Sequence, residues 1–185
     1  MIDETALMLL VGAIYETALE PAGWPALVER IGDLFGGAAS IVAVLASPAG
    51  PSFAATARLD PAFLPILARH SDPATNPTLA RQLRLPVGRP MVSARFHERR
   101  EFIRTEMYND LLRPQGLLDG AAALLLRKPD HLVTWNVLQP VGVEPMGEPD
   151  ENLLRLLAPH LQRAAQLLLR MDALKARADA AEEVL

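Results

Sequence analysis

Apolar positions change their spacing several times along this chain, and each change marks an element. Near the N-terminus Leu7, Leu10, Val11, Ile14 and Ala18 recur at helical spacing, with acidic residues before them and Pro21 after, which predicts one amphipathic helix. A second is expected from Pro25, with Leu27, Val28, Ile31, Leu34 and Phe35 on its apolar face and Gly36-Gly37 as its stop. Ser40 to Ser47, "SIVAVLAS", is then a run of β-branched and small apolar residues. The turn chemistry of "PAGPS" and the returning "FAATARL" make it a β-hairpin. Asp60-Pro61 opens helical cover in which Phe63, Leu64, Leu67 and Ala68 share a face, interrupted by Pro65.

From Ser71 to Pro90 prolines and turn residues break the pattern, apart from a short helix that Asn76-Pro77 can start. This reads as a covering segment. "PMVS" is a short strand, and a helix is expected over about His97 to Leu112 with Phe102, Ile103, Met107, Leu111 and Leu112 inward. It ends at Arg113-Pro114-Gln115-Gly116. Pro114 biases Arg113 away from helical dihedrals, and Gly116 accepts the unusual φ needed to reverse the chain. Ala121 to Arg127 and Leu132 to Gln139, on either side of Lys128-Pro129-Asp130, form a second antiparallel hairpin. Pro149, Asp150 and Glu151 then start a long terminal helix. Its seam at Leu154, Leu157, Leu161, Ala164, Leu168 and Met171 continues through Lys175, Ala178, Glu182 and Leu185, with Pro159 off the seam.

The order of elements is that of an α+β fold. Four or five antiparallel strands are expected with helices on one side and a long C-terminal helix, an antiparallel sheet that resembles the PAS/GAF layout. Residues 1–148 are expected to form the sensor-like domain and residues 149–185 a dimerisation and signalling helix. The first turns of that helix can pack on their own sheet. Met171, Leu174, Ala178 and Leu185 carry the stripe beyond what a compact domain covers, so self-association is expected.

Composition narrows the chemistry. Half of the 185 residues are hydrophobic, enough for a real core, and a net charge of −4 supplies no basic field for nucleic acid. Cysteine is absent, which removes disulfides, thiolate metal sites and cysteine nucleophiles and fits a cytoplasmic location. The N-terminal stretch has Asp3 and Glu4 in place of a basic region and Glu16 and Glu20 among its apolar residues, so neither a signal peptide nor a membrane span is expected.

Catalytic patterns are missing. No two of His70, His97, His131 and His160 stand at i, i+4 spacing, and surface or capping roles are expected for them in place of metal ligation. "FGGAAS" and "PVGRP" match neither a phosphate-binding nor a dinucleotide-binding turn, and no serine lies in a G-x-S-x-G elbow. No enzyme, metal or cofactor is expected. "ARFHERREFIR" is locally basic, but Glu98 and Glu101 interleave its arginines as on a solvated helical face. Trp135, Tyr108 and Phe102 are candidates to line a ligand cavity, although for each one taken singly filling the core is the favoured reading.

Four stretches, "AIYETALEPAGWPALVERIGDLFGG", "LPVGRPMVS", "EFIRTEMYNDLLRPQGLLDG" and "LLRLLAPHLQRAAQLLLRMDAL", are spread over most of the chain. As an ordered set they resemble the N-terminal sensor region of LuxR-family helix-turn-helix transcriptional regulators. The resemblance implies a PAS/GAF-like regulatory domain that binds a small molecule, forms a homodimer through its C-terminal helix and signals to a DNA-binding domain. No helix-turn-helix follows up to Leu185, so DNA contact is expected only through a domain not present in this chain. The tryptophan, tyrosine and aspartate constellation of the acyl-homoserine-lactone receptors is not matched. The alternatives are a homodimerisation module without a ligand and an enzyme of unfamiliar type.

Overall fold

The computed structural model describes residues 4–46, 50–95 and 97–182. The first helix spans Glu4–Leu19 (α1) and turns Leu10, Ile14 and Ala18 inward. Pro21 opens a short 3-10 turn, and the second helix, Trp24–Leu34 (α2), has Pro25 in its first turn, where no N–H is needed. Trp24, Leu27, Val28 and Ile31 form its buried stripe.

Both expected hairpins are present, Ala39–Ala46 (β1) with Gly50–Ala57 (β2) and Leu117–Arg127 (β4) with His131–Pro140 (β5). Residues 47–49 of the first expected turn lie outside the described residues. Met91–Val92 (β3) pairs with Ala121 and Ala122 as a short edge. The hairpins join through β1 and β5, so one antiparallel sheet runs in the order β2-β1-β5-β4-β3.

Helices cover both faces of this sheet, a correction to the one-sided cover expected. Val42, Val44, Val133, Trp135 and Val137 face α1, α2 and the terminal helix. Ile41, Ala43 and Leu117 face a second apolar cluster built by the segment between the two hairpins. The unbroken apolar runs of β1 and β4 have this cause, since strands covered on both sides do not alternate between apolar and polar residues.

The connecting segment is made of short pieces. Pro61–Phe63 forms a 3-10 turn capped by the Asp60 carboxylate, and Leu64–Arg69 (α3) begins afresh, which puts Pro65 in a first turn. Asn76 caps Pro77–Gln82 (α4) by accepting hydrogen bonds from the N–H groups of Thr78 and Leu79. The single helix expected over His97 to Leu112 is broken: Arg99–Phe102 (α5) stops, and Tyr108–Leu112 winds as a π-helical turn. Thr105 is the local cause. Its hydroxyl donates to the Phe102 carbonyl at 2.7 Å and accepts from the Tyr108 N–H at 3.2 Å, replacing helical backbone bonds. Ile103, expected inward, is 40% exposed.

Arg113 keeps helical dihedrals, φ −56° and ψ −45°, contrary to the bias expected from Pro114. Pro114 instead lies at the start of a 3-10 turn, Arg113–Gln115, and the reversal falls on Gly116 with φ +66°. Gln115 fastens the joint, donating to the Leu111 carbonyl at 2.6 Å and accepting from the Asp60 N–H at 2.8 Å.

The terminal helix spans Glu148–Glu182 (α6), a length of about 52 Å at 1.5 Å per residue. Leu154, Leu157, Leu161, Ala164 and Leu168 are buried in the same core as α1 and the sheet, so the first half of α6 packs within it. Buried Glu151 ties it down through Arg95 at 2.9 Å and Arg155 at 2.7 Å. Beyond Leu168 the cover thins and Leu174 is 62% exposed. No helix among the described residues is long and apolar enough to cross a membrane.

Candidate ligand-binding site

Between the sheet and the connecting segment lies a cavity of about 110 Å³. Its floor comes from alternate positions of three central strands: Ile41 and Ala43 of β1, Thr134 and Asn136 of β5, and Gly120 and Ala122 of β4. Ala43 and Ala122 are short side chains, which leaves space above the sheet. At Gly120 even a Cβ would come within 2.2 Å of the Val137 carbonyl oxygen, so the backbone there approaches its neighbour as only glycine permits. The roof is Phe102, Met107, Leu111 and Leu112, with α3 and α4 closing one side.

The strand period decides which polar groups enter. Trp135 points to the α1/α2/α6 side, 1% exposed, with its indole N–H 3.4 Å from the Ser40 hydroxyl. Its neighbours Thr134 and Asn136 therefore point into the cavity. Across both strand pairs they face Ala43 and Leu124, and Ile41 and Ala122. Neither side chain has a hydrogen-bond partner among the described residues, although Thr134 is only 3% exposed.

Most other polar groups on the wall are held by the fold, whereas the buried His70 Nε2 has no hydrogen-bond partner among the described residues. Asn76 uses its carbonyl oxygen to cap α4 and donates to the His70 carbonyl at 2.8 Å. The Ser71 hydroxyl donates to the Leu67 carbonyl, and Gln82 donates its amide to the Ala123 carbonyl at 3.2 Å. His97 stacks on Phe102 with centroids 4.4 Å apart, and Phe102 meets Tyr108 at 5.5 Å. The His70 imidazole, 9% exposed, has Nε2 3.6 Å from a carboxylate oxygen of Asp110. These burials correct the surface or capping roles expected for His70 and His97. His160 instead bonds the Tyr15 hydroxyl at 3.1 Å, tying α6 to α1.

Of the three aromatic candidates, Phe102 forms part of the cavity wall, Tyr108 packs beside it outside the wall, and Trp135 lies across the sheet. The structure does not bring the three together. Thr134 and Asn136 are marked in the sequence as polar residues at alternate positions of an otherwise buried strand, where each needs a partner. No Asp, Glu, Lys or Arg lines the cavity, and no group of three or more metal-ligating side chains occurs among the described residues. Around the basic "ARFHERREFIR" stretch Arg81 pairs with Glu101 and Arg95 with Glu151, while Phe96 lies outside the described residues.

The chain matches no protein-family model and no curated protein.

Proposed function

We propose that this chain is a ligand-sensing and dimerisation domain of the LuxR regulator type, cytoplasmic, with DNA reached only through a domain not present in this chain. One observation carries the reading: the cavity and the terminal helix lie on opposite faces of the same strand. Thr134 and Asn136 of β5 look into the cavity, and Val133, Trp135 and Val137 pack in the core that holds α1 and α6. A molecule that fits one strand position better than another shifts the population of packings under α6 by its difference in affinity for the two.

Self-association supplies the output. Leu174 on α6 and Met8, Leu9 and Leu19 on α1 are all more than 60% exposed, apolar surface suited to a second copy of the chain. Paired half-sites on DNA call for such a dimer. The exposed residues alone also favour the second reading, a homodimerisation module without a ligand.

Native mass spectrometry of freshly purified protein, followed by denaturation and analysis of what is released, tests both. A dimer that releases a stoichiometric small molecule is the expected result. An empty dimer whose melting temperature no small molecule changes replaces the sensor by the plain dimerisation module, and an empty monomer removes both.

A further inference from the structure

We infer that the cavity takes an uncharged, ring-sized molecule that presents a hydrogen-bond donor and acceptor to Thr134 and Asn136 and its apolar face to Phe102, Leu111 and Leu112. This rests on the sensor reading above, in that the cavity must be a ligand site.

Three observations define the class. First, no Asp, Glu, Lys or Arg lines the cavity among the described residues, and its titratable wall groups are the imidazoles of His70 and His97. An ion entering would lose its hydration, and a neutral imidazole offers it no counter-charge. The nearby Asp110 carboxylate approaches His70 and is itself about half exposed, so it lies outside the wall. Second, Thr134 is almost fully buried, and its hydroxyl and the Asn136 amide lack partners among the described residues. Two residues apart on one strand, they present a hydroxyl and a carboxamide side by side. A ligand edge with adjacent donor and acceptor atoms satisfies both, whereas a hydrocarbon leaves them desolvated and unpaired. Third, about 110 Å³ is of the order of the roughly 150 Å³ cavity that admits benzene, so one substituted ring fills it and a long acyl chain does not.

Benzamide, benzoate and toluene separate these properties, since they share a ring and differ in charge and polar edge. Protein freed of any retained compound is titrated with each, and binding is read from the backbone amide NMR signals of Gly120, Ala122, Thr134 and Asn136. Benzamide is expected to shift these signals and to bind at least about tenfold more tightly than either of the others. Asn136→Leu is expected to weaken benzamide by about tenfold and to leave toluene unchanged or tighter. If that variant fails to fold, the near-isosteric Thr134→Val takes its place. Benzoate binding as well as benzamide overturns the uncharged class and leaves the cavity as a ligand site. Toluene binding as well as benzamide overturns the polar edge. No shift with any of the three overturns the inference and the sensor reading together.

Discussion

Trp135 and its two neighbours face opposite sides of the sheet within three residues, the indole in the core and Thr134 and Asn136 on the cavity. The indole fills the core on one side of β5, so Trp135→Ala is expected to cost about 3–5 kcal/mol, measured by urea unfolding. Trp135→Phe retains most of the volume and is expected to leave benzamide affinity within twofold of the parent protein. An affinity loss of tenfold or more in Trp135→Phe would show that the residue acts on the cavity after all. Thr134 and Asn136 were legible in the sequence as polar residues alternating with Val133, Trp135 and Val137, and the indole lies on the opposite side of β5 from the cavity. Which face held the space depended on Ala43 and Ala122, and their proximity comes from pairing β1 and β4 on either side of β5. At Gly120 the constraint is purely steric. Gly120→Ala puts a methyl 2.2 Å from the Val137 oxygen and is expected to lower stability by about 2 kcal/mol or more, read as a fall in urea midpoint.

Among the elements, α6 has two halves in different surroundings. Leu161 is fully buried and Leu174 is 62% exposed on the same helix. Leu161→Ala is therefore expected to destabilise the fold by about 2–5 kcal/mol. Leu174→Asp is expected to leave the melting temperature of the monomer nearly unchanged while shifting light-scattering mass from dimer toward monomer. Should Leu174→Asp remain fully dimeric, the distal half of α6 is not the contact. The heptad spacing alone could not separate these halves, because a stripe of leucines looks the same whether a sheet or a second helix covers it. The broken helix between His97 and Leu112 illustrates the converse. Its apolar spacing suited one helix, and Thr105, by capturing the Phe102 carbonyl and the Tyr108 N–H, made two pieces of it and turned Ile103 outward. A hydroxyl that can compete with the backbone is visible in a sequence; whether it does so depends on what the cover must fit.

Across the whole molecule, a common core extends along α6 as far as Leu168. Leu154, Leu157, Ala158, Leu161, Ala164 and Ala165 all lie in the cluster that holds α1, α2 and the sheet. A fragment of residues 1–148 is accordingly expected to lack the far-ultraviolet and unfolding signatures of a native domain, whereas residues 1–174 retain a single transition. A stable, cooperatively unfolding 1–148 fragment would restore the helix to the status of a separate segment. Local patterns determined the strands, the two hairpins, the caps at Asp60 and Asn76, the reversal at Gly116 and the long terminal helix, because each rests on contacts between residues close in sequence. Tertiary structure alone decided the pairing of β1 with β5, the cover on both faces and the cavity over Thr134 and Asn136. Those depend on which distant apolar surfaces meet, and residues 41 and 136 carry no mark of each other until the two hairpins close into one sheet.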